Sequence, residues 1–236
     1  LPVYFPWSDA DGVAAAREHY GDRVLIGSIV GSGVWSIEII SDWMDFSVRL
    51  YDARADLHAE ARRLCESAKA TITQLAAAGA DFILLVNDIA DNQGTFLKPA
   101  QMRELVLPYL GELVAHVRDC GAIPFVHTDG NIMAVLDDYI ALGAACYQSV
   151  DPMAGMDIAE VKRRCHGKLA LMGNVQCSLL QEGPAAAIQA SARYCLKHAA
   201  PGGGYIFSSS NTIFSGLPLA NYRCMLTAYS DYVRQE

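Results

Sequence analysis

Six short apolar runs in this chain alternate with longer runs, most of which stop at a glycine, and at least five of the six end in a polar cluster. The clearest is Ile123-Pro124-Phe125-Val126, which gives way at once to His127-Thr128-Asp129-Gly130-Asn131 and then to the helix-like stretch Ile132 to Leu142. A buried strand, a polar turn and a helix make half of a βαβ unit, and repetition of the unit builds a parallel sheet. In such folds ligands sit beyond the carboxyl ends of the strands, where these polar residues project.

In chain order, the residue pattern predicts alternating helices and strands. Asp9 to Tyr20 is a helix capped by Ser8 or Asp9, with no strand of its own before it. Val24 to Val30 is a strand, and Val34 to Tyr51, with Trp35 and Trp43, is a short helix or lid. Ala55 to Ala78 is a long helix, Asp81 to Val86 a strand, and Pro99 to Cys120 a helix. After the strand ending at His127 come a helix at Asn131 to Leu142, a strand at Ala144 to Gln148 and a helix at Asp157 to Cys165. A strand at Leu169 to Met172, a helix at Pro184 to His198, a strand at Tyr205 to Phe207 and a helix at Leu217 to Arg234 complete the order. No linker or low-complexity stretch divides these units, so one α/β domain over residues 1–236 is expected.

Two architectures fit: an open doubly wound sheet and a TIM-type (β/α)8 barrel. Polar clusters on at least five of the six strand ends favour the barrel, whose strands all face one mouth. With about six βα units, the barrel would lack its first one or two.

Composition excludes several classes. The chain is 52% hydrophobic and 19% charged, with a net charge of −8 and no Lys/Arg cluster, which argues against nucleic acid and anionic membranes as partners. No apolar run reaches the length of a membrane span, and Leu1 to Pro6 lacks the basic region of a signal peptide. The seven cysteines are odd in number and singly scattered, as in a reduced, cytoplasmic protein.

The candidate site residues are those at strand ends. His127 and Asp129, two apart on extended chain, point to one side and could share a proton or a divalent metal. Asp88 ends a strand of five apolar residues, next to Asn87. Asn174, Gln176, Asn211, Asp151 and Gln148 are candidate substrate-binding groups, and Tyr147 is placed in the interior or at the mouth. Cys177 is the one cysteine near the mouth and a candidate ligand or nucleophile. His19, His58, His116, His166 and His198 fall on helices or helix ends and are expected to be solvated.

The run Val86-Asn87-Asp88-Ile89-Ala90-Asp91-Asn92-Gln93-Gly94 with Pro99 and Pro108-Tyr109 resembles the uroporphyrinogen decarboxylase superfamily. So do His127-Thr128-Asp129-Gly130-Asn131, Gly173-Asn174, and Gly203-Gly204-Tyr205-Ile206 leading to Pro218 and Asn221. The resemblance implies a (β/α)8 barrel and one of two activities, porphyrinogen decarboxylation or corrinoid-dependent methyl transfer. The decarboxylase branch carries an Arg-rich segment and a catalytic Asp in barrel units that this chain lacks, and a Gly-His-Gly where this chain has Ser208-Ser209-Ser210-Asn211. The methyltransferase branch binds zinc through His-x-Cys and a later Cys, where this chain has His127-x-Asp129 and Ser210-Asn211.

A harder N/O site suits a small oxygen-containing substrate better than a thiol. The expectation is therefore a methyltransferase-like enzyme, with zinc at His127 and Asp129 and a corrinoid on a partner protein. The alternatives are a uroporphyrinogen decarboxylase, which needs no cofactor, and a non-catalytic barrel relative whose open edges a partner covers. A homodimer is compatible with each.

Overall fold

The computed structural model describes residues 3–5, 9–165 and 167–234. Ser8 as a cap, the leading Leu1-Pro2 and Pro6, and His166 lie outside the described residues.

Seven parallel strands pair in sequence order: β1 (Val3–Tyr4), β2 (Leu25–Gly31), β3 (Phe82–Val86), β4 (Ile123–Thr128), β5 (Cys146–Ser149), β6 (Ala170–Val175) and β7 (Tyr205–Ser209). The helices between them are α1 (Ala10–Tyr20), α2 (Trp43–Asp52), α3 (Arg54–Ala77), α4 (Pro99–Leu105), α5 (Leu107–Asp119), α6 (Leu136–Ala141), α7 (Ile158–Cys165), α8 (Cys177–Glu182), α9 (Ala185–Ala199) and α10 (Leu219–Val233). Sequential strand order with no reversal is the barrel pattern, and it excludes the doubly wound sheet, whose order reverses at a crevice.

Three expectations change. Helix α1 does have a strand before it, because Val3 pairs with Leu25 and Tyr4 with Ile26, so the described residues hold seven βα units rather than about six. The helix expected from Pro99 to Cys120 breaks at Val106. Pro108 has no N–H to give to a carbonyl of the preceding turn, so it opens a new helix instead of continuing the old one. The helix expected from Asn131 starts only at Leu136, after a turn in which the Asn131 side chain accepts from the Met133 amide at 3.0 Å. Asp9 does cap α1, accepting from the Gly12 amide at 3.2 Å.

Each central strand has two buried faces. Ile83 and Leu85 of β3 turn outward into a core shared with Leu57 and Ile72 of α3 and Leu113 and Val117 of α5. All six are at most 1% exposed, and each fully buried aliphatic side chain contributes about 2 kcal/mol. A smaller outer cluster joins Val175, Ile188, Ala192 and Met225 under β6, β7, α9 and α10. Inward-facing residues alternate with these: the rings of Phe82 and Phe125 lie 4.8 Å apart across β3 and β4.

The sheet is curled. Asn211, just past β7, donates to the Asp129 carboxylate just past β4. Three strand spacings on a flat sheet would hold these residues about 14 Å apart. The arc therefore brings strand ends together that the chain separates by 82 residues.

The turn after β4 depends on Gly130. Its φ is +81°, and a Cβ there would lie 2.5 Å from the carbonyl carbon and oxygen of Ala90. Gly130→Ala is expected to destabilise the chain by about 2–4 kcal/mol in urea unfolding. A loss under about 0.5 kcal/mol would show that this turn is not held where described.

Candidate active site

His127 ends the inward face of β4 with a ring about nine-tenths buried. Its Nδ1 faces Oε1 of Gln148, the neighbouring residue on β5. The other end of that amide is spoken for, since Nε2 of Gln148 donates to the Ser210 carbonyl at 3.2 Å. Oε1 is thus the atom turned toward the ring, and an oxygen there accepts. The imidazole must carry its proton on Nδ1. That leaves Nε2 aimed at two carboxylates, 3.6 Å from Oδ1 of Asp88 and 3.9 Å from Oδ1 of Asp129.

Those carboxylates are held as firmly. Asp129 accepts from the Ser149 hydroxyl at 2.6 Å and from Asn211. Asp88 Oδ1 accepts from the Asp129 amide at 2.9 Å. One ligand atom each from Asp88, His127 and Asp129 lies within 4.8 Å of the others, a spacing that can enclose a cation.

Sequence reasoning missed Glu38. It stands on the loop between β2 and α2, pinned to β3 by Ile37 donating to the Asp88 carbonyl at 2.8 Å and by the Asp88 amide donating to its carboxylate at 3.3 Å. Burial pushes the Asp88 carboxyl up to about 6. Its hydrogen bond to the Glu38 carboxylate, which only the protonated form can donate, and the charge of Asp129 add to the rise. The Asp129 amide opposes it, as does the charge of His127 when that ring is doubly protonated. Burial also pushes Glu38 up, but bonds from Ser36, its own amide and Asp88 outweigh it and hold Glu38 below the ordinary range. No local motif marks Glu38, which sits 50 residues from its partner; only the loop's return to β3 joins them.

The remaining candidates divide. Asp151 borders the mouth, where its two oxygens take the Gly130 and Met153 amides at 3.2 and 2.9 Å. Gln176, at the cap of α8, turns its side chain to Ser178 in the first turn of that helix. Cys177 is half-buried beside Ser210 and lines the mouth. Asn87 points away to the helix layer, accepting from the Gly33 amide at 3.1 Å, with its Nδ2 lacking a partner among the described residues.

Asn174 also turns outward, donating to the Val150 carbonyl at 2.6 Å and accepting from the Cys195 thiol at 3.2 Å. Val150 has φ +54°, costly for a β-branched residue, and the Asn174 amide braces that turn. Tyr147 is not at the mouth: it is fully buried in the helix layer, edge-on to Tyr139.

Two histidines expected to be solvated are instead wired between helices. His58 contacts Tyr109 at 3.0 Å, and His116 contacts Thr73 at 2.9 Å. Trp35 is core and donates to the Leu57 carbonyl, while Trp43 is half-exposed. All seven cysteines are free, and no described helix is long and apolar enough to cross a membrane.

The model of the uroporphyrinogen decarboxylase (URO-D) family matches residues 10–232. The chain belongs to that family. The uroporphyrinogen decarboxylase of Anaeromyxobacter dehalogenans (strain 2CP-C) is 30% identical over 223 residues, covering 92% of this chain and 62% of the relative. That of Coxiella burnetii (strain Dugway 5J108-111) is 27% identical over 158 residues, 66% of this chain and 42% of the relative. This member of the family thus spans less than two thirds of the length of these curated relatives. In fold it is similar to a methyltransferase from Methanosarcina mazei, with a TM-score of 0.79 at 21% identity over 95% of this chain and 64% of that one. A B12-independent methionine synthase from Shewanella sp. W3-18-1 follows, with a TM-score of 0.61 at 14% identity over 96% of this chain and 66% of that one.

The raised Asp88 value fixes a pH dependence. Folded chain holds this proton more tightly than unfolded chain, whose ordinary value is 3.8, so its contribution to stability falls as pH rises from about 4 to about 6 and is level above. Asp88→Asn keeps an oxygen for the Asp129 amide and removes the charge. At pH 8 it is expected to be more stable than the parent by about 1 kcal/mol, after discounting for solvent screening. The difference should vanish near pH 4; a variant less stable at pH 8 would contradict the burial argument.

Proposed function

We propose that this chain carries the reacting face of a methyltransferase-like member of the family. On this reading a methyl group passes between a small oxygen-containing substrate and a corrinoid on a partner protein. What carries the reading is the His127 ring, turned by Gln148 so that a bare Nε2 meets Asp88 and Asp129 at the strand ends.

The donor set fits a divalent metal. One imidazole nitrogen and two carboxylate oxygens are zinc ligands of the harder kind, and the Gln148 contact to the far ring nitrogen is the support a metal-binding histidine uses. His127, Asp129 and Asp88 would hold the ion, and zinc there would supply Lewis acidity toward a substrate oxygen.

The chain's own groups do the rest. Ser149 and Asn211 fix the Asp129 carboxylate, so its oxygens do not swing away from the mouth. Gln148 keeps the ring from rotating. Glu38, through its bond from the Asp88 amide, holds the end of β3 so that the Asp88 carboxylate stays at the mouth.

A second reading is decarboxylation of a porphyrinogen, favoured by the 30% identical relative of that name. Asp88 would then deliver the proton that replaces the lost carboxylate. Zinc separates the two. On the first reading, purified chain takes up about one zinc ion, and His127→Ala and Asp129→Ala each weaken uptake about 10–100-fold or more. Uptake unchanged in both variants, or none in the parent, would remove the methyl-transfer reading and leave the decarboxylase one.

A further inference from the structure

Between α2, α3 and the loop that follows β2 lies a hollow of about 450 Å³, a size that suits a small molecule. It shares no lining residue with the hollows beside Asp129 and Asp151. Its floor is Trp35, Ile40 and Phe46, each at most 6% exposed, and Ile39 and Leu64 stand on its walls. The floor is rigid. Nε1 of Trp35 donates to the Leu57 carbonyl at 3.1 Å, and Phe46 packs edge-to-face against the indole with centroids 5.0 Å apart. Two fixed rings under aliphatic walls favour a flat aromatic body.

The charged groups around the hollow differ in how far they are committed. Asp42 accepts the Met44 and Asp45 amides, each at 2.9 Å. Arg49 reaches Asp45 at 3.5 Å and Glu60 at 2.6 Å, tying α2 to α3. Arg63 is left over. Among the described residues its one ion pair is with Glu60 at 3.7 Å, through the same Oε1 that Arg49 holds, and its guanidinium donates no hydrogen bond. The open donors of the hollow therefore belong to a planar cation. A carboxylate matches that fork with two parallel bonds, whereas Asp42, Asp45 and Glu60 repel a doubly charged phosphate.

The loop that walls the hollow has the mouth on its other side. The Ile39 amide donates to the Ser36 carbonyl at 3.2 Å and closes a turn over these four residues. Ile37 and Glu38 of that turn hold the end of β3 at Asp88, by bonds of 2.8 and 3.3 Å, while Ile39 and Ile40 line the hollow. A body packed against Ile39 and Ile40 bears on the segment that fixes Asp88.

We propose that this hollow is a regulatory site for a small aromatic carboxylate, with its ring on Trp35 and Phe46 and its carboxylate on Arg63, and that occupation stiffens the turn holding Asp88. Binding stands apart from any reading of the mouth; its effect on activity rests on Asp88 serving the reacting site.

The test is calorimetric titration of the intact chain at low ionic strength with indole-3-acetate, the neutral tryptophol and the cationic tryptamine, which share one ring system. Indole-3-acetate is expected to bind at least about fivefold more tightly than tryptophol, with tryptamine the weakest of the three. Arg63→Gln should weaken indole-3-acetate about fivefold or more and leave tryptophol within about twofold. Ser67→Trp, which puts a ring into the hollow from an exposed position on α3, should weaken both about tenfold or more. Hydrogen exchange of the Ile37 amide should slow at least about threefold at saturation. Zinc uptake is no part of these readouts, so this proposal and the metal reading fail separately. No heat from any probe, tryptamine binding as tight as indole-3-acetate, or affinity indifferent to both variants would overturn the site. An unchanged Ile37 exchange rate with the site filled would overturn the coupling to Asp88.

Discussion

The amide of Gln148 stands between two strand ends and decides what the mouth of this molecule presents. Its nitrogen is committed to the Ser210 carbonyl, which forces its oxygen onto Nδ1 of His127 and turns the bare nitrogen of the ring toward Asp88 and Asp129. The arrangement is possible only because the sheet is curled. β5 carries Gln148, β7 leads to Ser210, and the strand between them must bow away for one side chain to span the gap. The same curl lets Asn211 reach Asp129. Curling of the sheet and chemistry of the mouth are thus linked through the same side chains.

The polar ends sit on an apolar frame. Outward residues of β2 to β6 pack on the helices, and the inward residues below His127 are aromatic and aliphatic. Burial at the base of the mouth lowers the local dielectric, and so the Asp88 carboxyl is pushed up to about 6. The loop carrying Glu38 supplies an acceptor for the protonated form of Asp88 and fastens the end of β3. Asn174 and Val150 do related work on the far side, where a strained turn is held by a buried amide rather than offered to a ligand.

Much of this was legible in the residue order. Apolar runs ending in polar clusters placed six of the seven strands, and glycines marked where helices stop. His127 with Asp129, Asp88 and Asn211 could be expected to converge once a barrel was favoured, because every strand end then faces one basin. β1 escaped notice because two residues beside prolines show no alternation to read. The break before Pro108 was visible as a residue type, but helix periodicity on both sides hid it. Asn174 and Tyr147 misled for a different reason. A strand of four or five residues reveals that it is buried on both faces, not which face a given polar residue takes. Glu38 could not be found at all, since its partner is fixed by the return of a loop and not by spacing.

Membership of the uroporphyrinogen decarboxylase family agrees with the fold but leaves the chemistry to the site. There, the account depends on the protonation pattern of one ring. Long-range proton–nitrogen correlation spectra of uniformly 15N-labelled chain at pH 8, with the His127 signal assigned by its loss in His127→Gln, read that pattern directly. The account predicts a neutral ring protonated on Nδ1, and loss of that preference when Gln148 is replaced by Ala. A ring protonated on Nε2 in the parent chain would mean that His127 donates to the carboxylates instead of facing them with a free pair, and would contradict it.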